Sequence, residues 1–314
     1  MTGEVVNQTL AARIAADPAL VYPDVAVDFS TVPSVGGAAL SVRSYGPIDG
    51  DVIVFAHGWT MNANFWRAQV NDLARQFRVI CYDQRGHGAS TMGTAPFDQD
   101  LLGRDLNAVL NAVVPQGRRA VLVGHSMGGM TTMSWARLYH DEVAERARAV
   151  VLCSTAAEKL LPEPKFELLA PAGWLRAAEL FAIRAVMSNE YWFPGGERGR
   201  RRLRLALGRV ADDAHVAFTE ELSAACSQRT RGRWGRALLD LDVGEGLDRL
   251  CVPVVVVVGD EDRLTSQRHA KAMAAQLEAS GARNRLVVMA GSGHQLPIER
   301  HDEFNALIRE TAAG

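Results

Sequence analysis

Six near-continuous apolar runs punctuate this chain, at 51–57 (DVIVFAH), 77–83 (FRVICYD), 120–125 (AVLVGH), 147–155 (ARAVVLCST), 253–259 (PVVVVVG) and 285–290 (RLVVMA). Short runs without polar alternation fit strands covered on both faces, as in a parallel sheet flanked by helices. Apolar stripes at helical spacing stand between them: Trp66, Val70, Leu73 and Phe77; Leu102, Leu106, Val109, Leu110 and Val113; Ala270, Met273, Ala274 and Leu277; Phe304, Leu307 and Ile308. Upstream, Val25–Val32 and Ala39–Tyr45 alternate apolar and polar residues around Gly36-Gly37, the pattern of an antiparallel edge hairpin. The expected fold is α/β: a mostly parallel wound sheet of about eight strands with right-handed crossovers and an antiparallel edge hairpin.

The rhythm breaks once. From about Ala157 to Leu250 no strand-like run occurs, only helical pieces such as Trp174–Met187 and Arg200–Val210, with turns at Pro162, Pro164, Pro171 and Pro194-Gly195-Gly196. This predicts a core made of 1–156 and 251–314, with 157–250 inserted before the penultimate strand as a helical lid, or cap. Such a lid would cover the carboxyl edge of the sheet, where α/β sites lie.

The balance of 34 Lys+Arg against 36 Asp+Glu leaves a formal charge of −2 and gives no global reason to bind nucleic acid. At 48% apolar and 22% charged residues the chain reads as folded rather than disordered. Runs such as Val254–Val258 are far too short to cross a bilayer, so no transmembrane segment is expected. The first residues carry Glu4 and lack the basic start and apolar run of a signal peptide, which points to the cytoplasm. Cys81, Cys153, Cys226 and Cys251 show neither zinc nor thioredoxin spacing and read as reduced thiols serving as small buried hydrophobes.

Gly124-His125-Ser126-Met127-Gly128-Gly129 satisfies G-x-S-x-G, follows the run AVLV and opens the helical segment Gly129–Tyr139. That is the context of a nucleophile elbow, in which a sharp turn holds the serine hydroxyl above the sheet. A serine needs a base. Of the eight histidines, His57, His87, His125, His140, His215, His269 and His301 sit at turns or in helical segments. His294 follows the last strand in the loop Gly291-Ser292-Gly293, which can carry an imidazole over the sheet edge. The base needs an anion to fix its tautomer. The run PVVVVV ends in Asp260-Glu261-Asp262, and the order serine, acid, histidine fits this architecture.

With these motifs the chain resembles the α/β-hydrolase-fold serine hydrolases of the esterase/lipase type from about Asp51 to the carboxyl terminus. The resemblance rests on His57-Gly58-Trp59, Asp83-Gln84-Arg85-Gly86-His87-Gly88-Ala89-Ser90, the elbow, G-x-x-D-x-L-T at Gly259–Thr265 and G-H-x-x-x-x-E at Gly293–Glu299. It implies Ser126, Asp262 and His294 as catalytic residues, with Asp260 and, more distantly, Glu158 as rivals for the acid. It implies an oxyanion hole of the Met127 and Trp59 backbone N–H groups, the Trp59 side chain staying free to line an acyl pocket. Neither cofactor nor metal is implied, and Asp83 and Arg85 are expected to tie turns together.

A serine at the elbow, where haloalkane dehalogenases and most epoxide hydrolases carry aspartate, points to an acyl-enzyme and a small apolar ester-type substrate. The alternatives are a thioesterase or C–C bond hydrolase in secondary metabolism or aromatic breakdown, and a ligand-binding α/β-hydrolase without turnover. Similar cofactor-free haloperoxidase-like perhydrolases add peracid formation as a side activity. In the lid, Arg198, Arg200, Arg201, Arg202 and Arg204 read either as a solvated face partly neutralised by Asp212 and Asp213 or as a peripheral contact for anionic lipid or acidic substrate groups. Trp174, Leu175, Leu180, Phe181, Met187, Tyr191, Trp192 and Phe193 read as lid core or as the roof of an acyl pocket. Oligomeric state is not encoded in any of these motifs.

Overall fold

Each apolar run becomes a strand. The computed structural model describes residues 9–157, 184–185, 187–189 and 196–314. Its strands are β1 (Val27–Ser34), β2 (Ala38–Tyr45), β3 (Val52–Ala56), β4 (Arg78–Tyr82), β5 (Ala120–His125), β6 (Ala147–Cys153), β7 (Val254–Gly259) and β8 (Asn284–Met289). They form one 8-stranded sheet in the order β1-β2-β4-β3-β5-β6-β7-β8. β2 runs antiparallel to β1 and β4, and every other pairing is parallel.

β1 is shifted by two residues from the alternation at both ends: it begins at Val27, and Pro33 and Ser34 continue it, where an edge strand tolerates a proline. β3, β5 and β7 are buried along their whole length, as continuous apolar runs require. β8 departs from the expectation of burial on both faces. It is the outer strand beside β7, and Val288 is 44% exposed. The run LVVM reads like a central strand although only one neighbour covers its edge.

Alternation along the strands divides the core. Val52 and Val54 point to one face with Leu102, Leu106, Val109 and Leu110 of helix α2 (Gln99–Val113) and Met130 and Met133 of α3 (Met127–Leu138). Ile53 and Phe55 point to the other, with Val70 and Leu73 of α1 (Arg67–Leu73). The Trp66–Phe77 stripe identifies buried residues correctly but overstates the helix. Trp66 belongs to a preceding 3₁₀ turn, and Phe77 lies past the end of α1.

Between β6 and β7 lie α4 (Gly196–Ala206), α5 (Asp213–Ala225) and α6 (Gln228–Leu239). α4 stops at Ala206 rather than reaching Val210. Trp234, Leu238, Leu241, Val243 and Leu247 join the core on the α2–α3 face. The predicted helix 174–187 and the turns at Pro162, Pro164, Pro171 and Pro194 fall almost entirely outside the described residues. After β7 come α7 (Gln267–Ala279) and the closing α8 (His301–Ala313). Among the described residues no helix is long and apolar enough to cross a membrane. Cys81, Cys153 and Cys226 are buried free thiols, whereas Cys251, expected to be buried too, is exposed just before β7.

Candidate active site

β5 runs straight into α3, and the single residue between them is Ser126, held at φ 53° and ψ −117°. A non-glycine residue seldom adopts a positive φ, and this one persists because its surroundings fix it. Its N–H donates to Cys153 O (2.9 Å), and its carbonyl accepts from Gly129 N–H (2.9 Å) and the Thr155 hydroxyl (2.7 Å). The flanking glycines let strand and helix approach. A Cβ on Gly124 would fall 2.4 Å from Gly128 O, and one on Gly128 would fall 1.9 Å from Ala56 O. Ser126 remains partly exposed while Met127 is buried at the first position of α3, where N–H groups have no intrahelical acceptor.

The loop after β8 brings His294 over the same edge. Its Nδ1 lies 3.0 Å from Asp262 Oδ2 and 3.2 Å from Oδ1, with both side chains buried. Asp262 Oδ1 also accepts the N–H groups of Leu264 (2.8 Å) and Thr265 (2.9 Å), and Oδ2 accepts the Thr265 hydroxyl (2.9 Å). Burial raises the Asp262 carboxyl, but the facing imidazole and these donors outweigh it and leave it below the usual aspartate value. Asp260 accepts Gly291 N–H at 2.5 Å, and Glu261 holds Arg209. Of the three consecutive carboxylates, Asp262 is thus the one on the imidazole. The other rival, Glu158, lies outside the described residues.

The third segment to converge is the loop after β3. A Cβ on Gly58 would sit 3.3 Å from Ser126 Cβ and 2.9 Å from His125 Nδ1, so the chain bearing Trp59 passes directly over the elbow. Buried His57 and His87 brace it, and buried His125 braces the neighbouring loop that bears His294. His57 Nδ1 bonds Gly58 O (2.8 Å) while its Nε2 accepts Gln84 N–H (2.9 Å). His87 Nε2 accepts Thr60 N–H (3.3 Å), and His125 Nε2 bonds His294 O (2.8 Å). Burial pushes their pKa values down to about 4, about 3 and about 3, so all three stay neutral, and the bonds made by His57 and His87 fix which nitrogen donates and which accepts.

Asp83 and Arg85 act as scaffold. Asp83 accepts Ala63 N–H (2.7 Å) and Ala89 N–H (3.0 Å), and Arg85 makes a two-pronged buried pair with Asp105 (2.8 and 2.6 Å). The Trp59 indole has a hydrogen-bond partner of its own. Its Nε1–H donates to Arg231 O (3.0 Å), which ties the ring to α6. Trp234 N–H to Arg85 O (2.9 Å) and the Thr230 hydroxyl to Gly86 O (2.8 Å) dock the same helix.

In the basic cluster, Arg200 pairs with Glu220 (3.1 Å) across α4 and α5, rather than with the nearer Asp212 or Asp213. Arg204 reaches the Asp212 carbonyl (3.4 Å), while the Asp212 carboxylate caps α5 and Asp213 faces Arg13 (3.6 Å). The Arg198 and Arg202 side chains and all the roof residues except Met187 lie outside the described set. Thr265, which the sequence marks only as the last residue of the G-x-x-D-x-L-T motif, bonds both Asp262 and His294 (3.2 Å), and Ser266 is the N-cap of α7. Its position three residues after Asp262 was the available signal. Among the described residues, no group of three or more His, Cys, Asp or Glu is arranged to hold a metal ion.

Residues 53–307 match the alpha/beta hydrolase family. The chain is 29% identical to 3-oxoadipate enol-lactonase 2 of Acinetobacter baylyi over 73% of its own length and 78% of that protein's. It is 25% identical to a bifunctional esterase/perhydrolase of Acinetobacter calcoaceticus, covering 87% of this chain and 96% of the other. An esterase from Exiguobacterium antarcticum superposes with a TM-score of 0.74 at 22% identity, over 91% of this chain and 99% of that one.

Proposed function

From its membership of the α/β-hydrolase family, we propose that the protein is a serine hydrolase of carboxylic esters with an apolar acyl or alcohol part, working through an acyl-enzyme. The observation that carries this is the Ser126 elbow lying against the Gly58–Trp59 loop and, through the His125 Nε2 bond to His294 O, against the loop that holds the Asp262–His294 pair. Neutral His294 takes the Ser126 hydroxyl proton as Oγ bonds to the ester carbon, and Asp262 supports the imidazolium. The Trp59 and Met127 N–H groups hold the oxyanion, and the imidazolium returns the proton to the leaving alkoxide. Water, deprotonated by His294, then attacks the acyl-enzyme, and Ser126 leaves with the proton as the acid departs.

Residues 157–250 act in this reading as a cap over the site, supported by the bonds from α6 to Trp59, Arg85 and Gly86. Cyclic esters are a second substrate class, favoured by the enol-lactonase among the relatives. Turnover of short p-nitrophenyl esters and of simple lactones tests both. Ser126→Ala should cut kcat at least ~10³-fold and abolish covalent labelling by a fluorophosphonate. Labelling at a different serine would overturn the reading.

A further inference from the structure

Glu299 is a carboxylate the proposed chemistry does not use, and it is only 6% exposed. It ends a one-turn helix, Leu296–Glu299, just after the base. Its Oε2 accepts Gly293 N–H (2.8 Å) and Gly208 N–H (2.7 Å), and its Oε1 accepts Gln295 N–H (3.0 Å). Among the described residues, backbone amides rather than a guanidinium or ammonium hold this charge. Burial raises its carboxyl pKa against the pull of those three donors and of His294. A buried charge is costly where an apolar side chain could pack, so its placement calls for a reason.

The donors supply one. Gly293 and Gln295 are the residues on either side of His294, while Gly208 lies two residues past the end of α4. The same two segments are laced together by His294 N–H to Ala206 O (2.7 Å) and Val210 N–H to Gly291 O (3.2 Å). Their backbones touch: a Cβ on Gly208 would fall 2.6 Å from Gly293 N, and one on Gly293 would fall 2.5 Å from Gly208 N. Glu261 extends the seam, accepting Arg209 N–H (2.8 Å) and donating its own N–H to Ser292 O (3.0 Å).

We propose that Glu299 is a positioning residue that clamps the amides around His294 and fastens them to the foot of α4, so that the base is in register only while that foot is docked. The inference rests on His294 being the base. Glu299→Gln keeps the shape but replaces one accepting oxygen with a donor that opposes the backbone N–H groups. On a p-nitrophenyl ester, kcat should fall about 10- to 100-fold, as for a base displaced by about an ångström, with KM within about twofold.

The decisive comparison repeats the substitution in a His294→Ala background. A residue acting through His294 adds no further loss there, whereas one that merely supports the fold costs the same factor in both backgrounds. Wild-type kcat in Glu299→Gln, or equal losses in the two backgrounds, overturns the proposal. If Glu299→Gln does not fold, Glu299→Asp, which keeps the charge but shortens its reach, goes through the same cycle, and the same two results overturn the proposal. His294→Ala retaining wild-type turnover would instead remove the base assignment, and the clamp with it.

Discussion

Asp262→Asn is the most informative single substitution at the proposed site. In the native arrangement Oδ1 receives the N–H groups of Leu264 and Thr265, and Oδ2 receives the Thr265 hydroxyl and faces His294 Nδ1 at 3.0 Å. An asparagine has to keep its oxygen toward the two backbone donors, so its NH₂ replaces Oδ2. The Thr265 hydroxyl can rotate and accept from that group. The imidazole can answer it only by making Nδ1 an acceptor, which moves its proton to Nε2, the nitrogen that must receive the Ser126 proton. Wrong tautomer and lost counter-charge together should lower kcat by about 10³–10⁴, or about 4–5.5 kcal/mol of transition-state stabilisation. The side chain is isosteric, so folding survives. Because the Asp262 carboxyl is held below its ordinary value, its stabilising contribution is present above the usual aspartate range and lost as pH falls through the folded value, and the variant should lack that acid-side loss. Asp260→Asn, which disturbs the bond to Gly291 N–H, should cost about 1 kcal/mol of stability and leave kcat near wild type. Steady-state kinetics and melting curves on both variants decide. Asp262→Asn retaining more than about a tenth of kcat, or Asp260→Asn being the inactive one, would refute the assignment.

Asp105→Ala strands the fully buried Arg85 guanidinium, and breaking such a pair should cost about 3–5 kcal/mol by denaturant titration. A loss under about 1 kcal/mol would show that the Val35 and Met92 carbonyls hold Arg85 unaided. At the amino-terminal side, the bond to Asp17 raises the His301 pKa. Its stabilisation is full below the ordinary histidine value of about 6.5 and fades as pH rises through the raised folded value. The melting-temperature gap between wild type and His301→Asn should therefore shrink as pH rises, and a gap that widens would reverse the sign of this coupling.

The sheet is legible in the sequence because burial on both faces leaves continuous apolar runs, and for the same reason β8 misleads: LVVM says nothing about whether a neighbour lies beyond it. The elbow is legible because Gly124 and Gly128 answer a local steric demand. The three carboxylates after β7 cannot be sorted from the residues themselves, since Gly291, Arg209 and His294, which do the sorting, all come from other segments. The family motif points to Asp262, but it assigns no task to Thr265 or Glu299. The partners of the Trp59 indole and of Arg200 are not legible, because each lies on a helix whose placement no local pattern encodes.

Among the described residues, the stretch between β6 and β7 meets the proposed site through α6, against the loop and turn bearing Trp59, Arg85 and Gly86, and through the end of α4, against the loops bearing Glu261 and His294. Anyone building chimaeras to exchange substrate preference would cut near 157 and 250 and treat the two parts as interchangeable modules. Such a graft would meet no vacant socket. The incoming piece must present a glycine where Gly208 meets Gly293, a carbonyl where Ala206 receives the His294 N–H, and an indole acceptor like that of Arg231. Recombination at these joints should therefore yield active hybrids only when the donor segment carries the matching contacts, so that selectivity and turnover are inherited as a linked set.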